Sequence, residues 1–64
     1  MTESDRKVLD ALRTLRRMFN RVYSWQIAME IEMSERTARY RLCRLEQAGL
    51  VQRPYGKQSG WLLA

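Results

Sequence analysis

Ser34-Glu35-Arg36-Thr37-Ala38-Arg39-Tyr40-Arg41-Leu42-Cys43-Arg44-Leu45-Glu46-Gln47-Ala48-Gly49-Leu50-Val51 is the stretch on which the fold turns. Its first residue is a good N-cap, because a serine hydroxyl accepts a bond from one of the backbone N–H groups that a helix start leaves free. Glu35 then puts negative charge in the first turn, where the helix dipole favours it. Ala38, Leu42, Leu45 and Ala48 recur at intervals of four, three and three, the apolar stripe of an amphipathic helix. Gly49 follows where a helix end wants a residue tolerant of left-handed geometry. These features predict a helix over 35–48. Leu50-Val51-Gln52-Arg53 is strand-like, and Pro54, which lacks an N–H, belongs at a strand end or edge.

Upstream, Ser24 reads as another N-cap, and Trp25 to Ile31 as a short helix with Ile27, Ala28 and Ile31 on one face. Glu32-Met33 leaves room only for a turn. Arg21-Val22-Tyr23 is short and β-prone, a stub of strand. Before it, Val8, Ala11, Leu12, Leu15 and Met18 or Phe19 recur at helical spacing, with Leu9 at the margin. Ser4 is the expected cap and Asp5 suits the first turn, giving a helix over about 4–18. Asn20 is its stop signal. Asp5 and Asp10 are expected on the exposed side of this helix. Downstream, Tyr55 to Gly60 is turn chemistry with two glycines, and Trp61-Leu62-Leu63 is a second strand-compatible run. The order is helix, stub strand, helix, tight turn, helix, then a two-stranded hairpin. The expected class is α+β, with residues 1–64 as one domain.

Composition narrows the function. A chain of 64 residues holds one domain and buries only about 60% of its unfolded surface, so each large apolar residue counts. One cysteine and no histidine exclude an internal disulfide framework and leave no Cys/His metal set. A lone thiol fits a reducing compartment. No apolar run has the length of a signal peptide core or a membrane span, so a soluble, cytoplasmic protein is expected, with no membrane partner. With no histidine base, no Gly-rich phosphate loop and no carboxylate pair in a cleft, the reading is not an enzyme and needs no cofactor.

Charge points to a partner. Twelve basic residues against seven acidic ones give +5. From Met1 to Met33 there are six basic and five acidic residues, net +1; from Ser34 to Lys57 there are six basic and two acidic, net +4. A positive field concentrated on the C-terminal half suits a polyanion.

A short helix, a tight turn and a longer helix form a helix-turn-helix, in which the first helix props the second and leaves its outer face free for the major groove. Ser34 to Val51, above all Leu45-Glu46-Gln47-Ala48-Gly49-Leu50-Val51, resembles the recognition helix and first wing strand of bacterial winged helix-turn-helix regulators of the MarR, Lrp and ArsR kind. Ser24-Trp25-Gln26-Ile27-Ala28 resembles the preceding helix of those proteins, and the likeness covers about residues 24–61. It implies an α+β winged helix-turn-helix, three helices and a hairpin wing, that binds double-stranded DNA as a transcriptional regulator, commonly as a homodimer on two half-sites. The chain departs from the pattern at Glu32, where glycine is frequent; if that position is left-handed, a residue other than glycine costs about 1 kcal/mol there, so a turn of a different shape is the other expectation. Arg41 stands where some relatives carry a semi-buried residue, and two placements stay open for it: toward DNA, or back over the first helix.

Opposite the stripe, a helical wheel places Arg36, Tyr40, Cys43, Arg44 and Gln47, with Thr37 and Arg39 on the flanks. Arg36, Thr37, Arg39 and Tyr40 lie near enough to the helix start to reach bases, and an arginine can bind guanine through two hydrogen bonds. Ser34 and Thr37 are phosphate candidates, as is Arg53. Lys57, at the hairpin tip, is the wing contact, with Gly56 and Gly60 letting the tip adapt. Trp25 and Trp61 are expected in the core, and Met18, Met29 and Met33 as core or interface filler. Cys43, near Arg39 and Arg44, admits a redox-sensor reading that one cysteine supports weakly. Met18, Phe19 and Leu63 are the candidates for a homodimer contact through helix one or the hairpin edge. Two other readings stay open: a winged helix that binds a protein and no nucleic acid, and an architectural or RNA-binding module without sequence preference.

Overall fold

The computed structural model describes residues 1–56 and 60–64. It is α+β: α1 (Glu3–Arg16), α2 (Ser24–Glu30), α3 (Glu35–Gln47), β1 (Val51–Gln52) and β2 (Leu62–Leu63). The two strands form an antiparallel sheet in which Val51 pairs with Leu63 and Gln52 with Leu62. The expected stub at Val22 makes an antiparallel bridge to Trp61, whose N–H donates to the Val22 carbonyl at 2.7 Å. The chain before α2 thereby ties the ribbon to the helices.

The core is built from the stripes that periodicity indicated, except that Ala48, expected to end the α3 stripe, is the C-cap after Gln47 and is exposed. Val8, Leu12 and Leu15 of α1 meet Ile27 and Ala28 of α2 and Ala38, Leu42 and Leu45 of α3, with Val22, Val51 and Trp61 closing the sheet side. Leu9 is buried with them. Full burial of one Leu or Ile contributes roughly 1.5–3 kcal/mol, so in so small a core Leu12, Ile27 and Leu42, each fully enclosed, matter most.

The ends of α3 and α2 share a six-to-one backbone bond and a left-handed residue. At the end of α3, the Leu50 N–H reaches the Leu45 carbonyl at 2.9 Å and the Gly49 N–H reaches Glu46 at 3.0 Å, with Gly49 at φ 80°. This is a Schellman closure, and glycine fits it without strain. At the end of α2, the Met33 N–H reaches the Ala28 carbonyl at 3.0 Å, and the left-handed residue is Glu32, at φ 55°. The turn therefore keeps the geometry glycine would favour, with a residue that is strained in it.

Several expectations are corrected. Helix α1 begins at Glu3, not Ser4, because Thr2 is the cap: the Asp5 N–H donates to Thr2 Oγ1 at 3.1 Å and the Thr2 N–H to Asp5 Oδ2 at 3.2 Å. The helix ends at Arg16, so Met18 falls outside it and is exposed. Asp5 is buried rather than exposed, because the start of α1 lies under α3, where Arg41 closes over it; Asp10 is exposed as expected. Ser24 is the first residue of α2 and not its cap, a place taken by Tyr23. Trp61 is buried, but Trp25 is 51% exposed. The reason is helical geometry: Ser24, Ile27 and Ala28 take the inward face of α2, which turns Trp25 and Met29 outward together. Met33 packs partly against the core. Gly60 is needed for close packing rather than adaptability, since a Cβ there would lie 2.8 Å from the Val22 carbonyl oxygen.

Candidate nucleic-acid interface

The inward stripe of α3 fixes which side chains face out. With Ala38, Leu42 and Leu45 buried, Arg36, Thr37, Arg39, Tyr40 and Arg44 are exposed, and Ser34 stands exposed at the helix start. Ser34 is the cap that the sequence indicated: its Oγ accepts from the Thr37 N–H at 3.1 Å and donates to Thr37 Oγ1 at 2.8 Å. The first turn of α3 is thus held rigid from its own end. Its thirteen residues give a rod about 20 Å long at 1.5 Å per residue, a shape that the major groove admits.

The exposed arginines are not equivalent. The side chain of Arg36 has, among the described residues, no hydrogen-bond or ion-pair partner. Arg39 is 59% exposed, and its Nη2 donates to Glu35 Oε2 at 2.6 Å. Arg44 lies against Tyr40, its Nη1 3.4 Å from the phenol oxygen and its guanidinium carbon 5.9 Å from the ring centre. The Tyr40 hydroxyl and the more distant Asp5 raise the Arg44 pKa further, so it is a cation at every accessible pH.

Two other arginines are turned into the molecule. Arg41, whose two placements the sequence left open, folds back over α1: its Nη1 lies 3.5 Å from Asp5 Oδ1, and its side chain is 24% exposed. Burial alone would raise the Asp5 pKa; the backbone and hydroxyl bonds from Thr2, with Arg41 and Arg44, outweigh it and leave the carboxyl below its ordinary value. Arg53 stacks on Trp61, 4.2 Å from the ring centre, with Nη2 3.6 Å from Glu46 Oε1. Its side chain is only 21% exposed, so it stands apart from the outward set on α3. Lys57 lies outside the described residues. Cys43 is a half-buried free thiol that packs partly against the core.

Asp5 is the residue that sequence reasoning missed. The signal was present: Thr2-Glu3-Ser4-Asp5 is a capping-box pattern with aspartate in the place of the usual glutamate. The pairing with Arg41 had no local sign. Among the described residues no helix is long and apolar enough to cross a membrane. Comparison with protein-family models, curated proteins and solved structures returns no match.

Proposed function

We propose that this chain is a winged helix-turn-helix that binds double-stranded DNA in a sequence-dependent way, as a transcriptional regulator or its DNA-reading part, without enzymatic activity. In this reading α3 enters the major groove. Arg36, Thr37, Arg39 and Tyr40 meet base edges, while Ser34, Arg44 and the start of α2 meet phosphates. The hairpin is the wing, and Lys57 contacts backbone or minor groove. The observation that carries the reading is the outward set on the first three turns of α3, cationic and hydrogen-bonding, on a helix whose other face is fixed by the core. Arg53 is a support for the wing base rather than a phosphate contact, since its guanidinium is committed to Trp61 and Glu46.

The deciding experiment is binding of the chain to a fluorescent random duplex across a salt series, followed by selection on randomised duplex DNA. Phosphate contact requires affinity to fall as salt rises. Lack of binding at low salt would remove the reading and leave the protein-interaction alternative. Binding without an enriched sequence, or equal binding to duplex RNA, would favour the architectural alternative. A palindromic consensus would support two chains on two half-sites, for which Met18, Phe19 and Leu63, all exposed, offer contact surface.

A further inference from the structure

The start of α3 carries an acid where a polyanion would dock. Glu35 Oε2 accepts both from Arg39 Nη2 at 2.6 Å and from Ser24 Oγ at 3.2 Å. Ser24 is buried at the first residue of α2, so this chain of three side chains runs from the core, across two helices, to the exposed guanidinium. With Trp25, the three border a concavity of about 290 Å³ between the two helix starts and the sheet.

An ordinary solvated i,i+4 pair would account for Arg39 and Glu35 alone. It gives no reason for the carboxylate to be anchored from beneath by a buried hydroxyl. We infer that Glu35, anchored by Ser24, is a positioning residue for Arg39: it sets the direction of the guanidinium and offsets its charge, so that Arg39 discriminates between bases instead of seeking the nearest phosphate. The inference rests on the duplex-binding reading above. One N–H of Arg39 is spent on Glu35, and the other donors of the planar fork remain available in a fixed direction. Two of them suffice for guanine O6 and N7. The side chain of Arg36 has no such partner among the described residues, so no contact within the fold sets its direction. The carboxylate itself repels the backbone, which lowers affinity for duplexes that offer Arg39 no matching base.

The test uses the whole chain, the duplex recovered by selection, its single-base-pair variants and a random duplex, each titrated over a salt series. Glu35→Gln keeps an acceptor for both neighbours but removes the charge. It should bind the random duplex several-fold more tightly at low salt, with a salt slope steeper by about 0.9. It should also lose roughly fivefold or more of its discrimination at the base pair that Arg39→Ala identifies. Ser24→Ala changes no charge, so its salt slope should stay put while discrimination at that same base pair falls. Thermal unfolding of each variant identifies any that fails to fold, and the other then decides. Full discrimination retained by both variants, or an equal loss at every base pair, would overturn the positioning role while leaving DNA binding intact. Absence of duplex binding by the unsubstituted chain would remove both.

Discussion

Arg36 and Arg39, near the start of α3, face outward, whereas Arg41, on the same helix, and Arg53, after β1, face into the molecule. The letters are the same and the surroundings opposite. Arg39 is 59% exposed; Arg41 and Arg53 are 24% and 21% exposed. The outward pair is open to solvent, on the face that the proposed reading turns toward a duplex. The inward pair fastens the fold, one tying α3 to the start of α1, the other pinning Trp61 under the hairpin. A count of basic residues therefore overstates the outward positive field, because Asp5 and Glu46 answer the inward pair and Glu35 answers Arg39.

Removing the outward pair should give the largest effect. Arg36→Ala with Arg39→Ala is expected to weaken binding to the selected duplex by about 2–6 kcal/mol, taking 1–3 kcal/mol for each contact. It should shift the urea midpoint little, since exposed side chains contribute about 0.5 kcal/mol or less. Strong destabilisation with unchanged binding would reverse the assignment of the two pairs. Next comes Asp5→Ala, which removes the carboxylate half of the capping box, one hydrogen bond worth about 1 kcal/mol, and strands the half-buried Arg41. A loss of about 2–3 kcal/mol in urea unfolding is expected, the ion-pair part discounted for its partial exposure, with the preferred DNA sequence unchanged. Arg53→Ala should be milder, about 1 kcal/mol of stability from the lost stacking on Trp61, again with base preference intact. A uniform loss of affinity across all duplexes at unchanged stability would instead make Arg53 a phosphate contact.

Acid should produce the smallest effect. The folded Asp5 carboxyl lies below its ordinary value of 3.8, so its stabilising contribution is complete above the unfolded value and disappears as pH falls through the folded one. Stability measured by urea unfolding should therefore decline below about pH 4, and Asp5→Asn should flatten that decline. An equal acid slope in the variant would show that Asp5 is not the group responsible.

Much of the fold was legible because the signals are local. Ser34 caps α3, Gly49 closes it and the Ala38, Leu42, Leu45 stripe faces the core; each depends on neighbours within a turn or two. The stub at Val22 was legible from β-propensity, and its partner Trp61 was not. Glu32 was marked as a misfit by the resemblance, which has glycine at that turn, and it adopts the left-handed geometry that makes it one. Trp25 was misplaced for a different reason. Size and apolarity favour burial on average, but α2 has only seven residues and its inward face was already taken. Phase within the helix outweighed hydrophobicity.

The outward positions of Arg36, Thr37, Arg39 and Tyr40 follow from helical phase, and phase is written in the spacing of the apolar residues. Which arginines remain free is another matter. Arg41 meets an aspartate from the opposite end of the chain, Arg53 meets a tryptophan across the hairpin, and Glu35 meets a serine from the preceding helix. Electrostatic and stacking energies fall off over a few ångströms, so these pairings exist only once the helices and strands have packed. Spacing along the chain carries no trace of them.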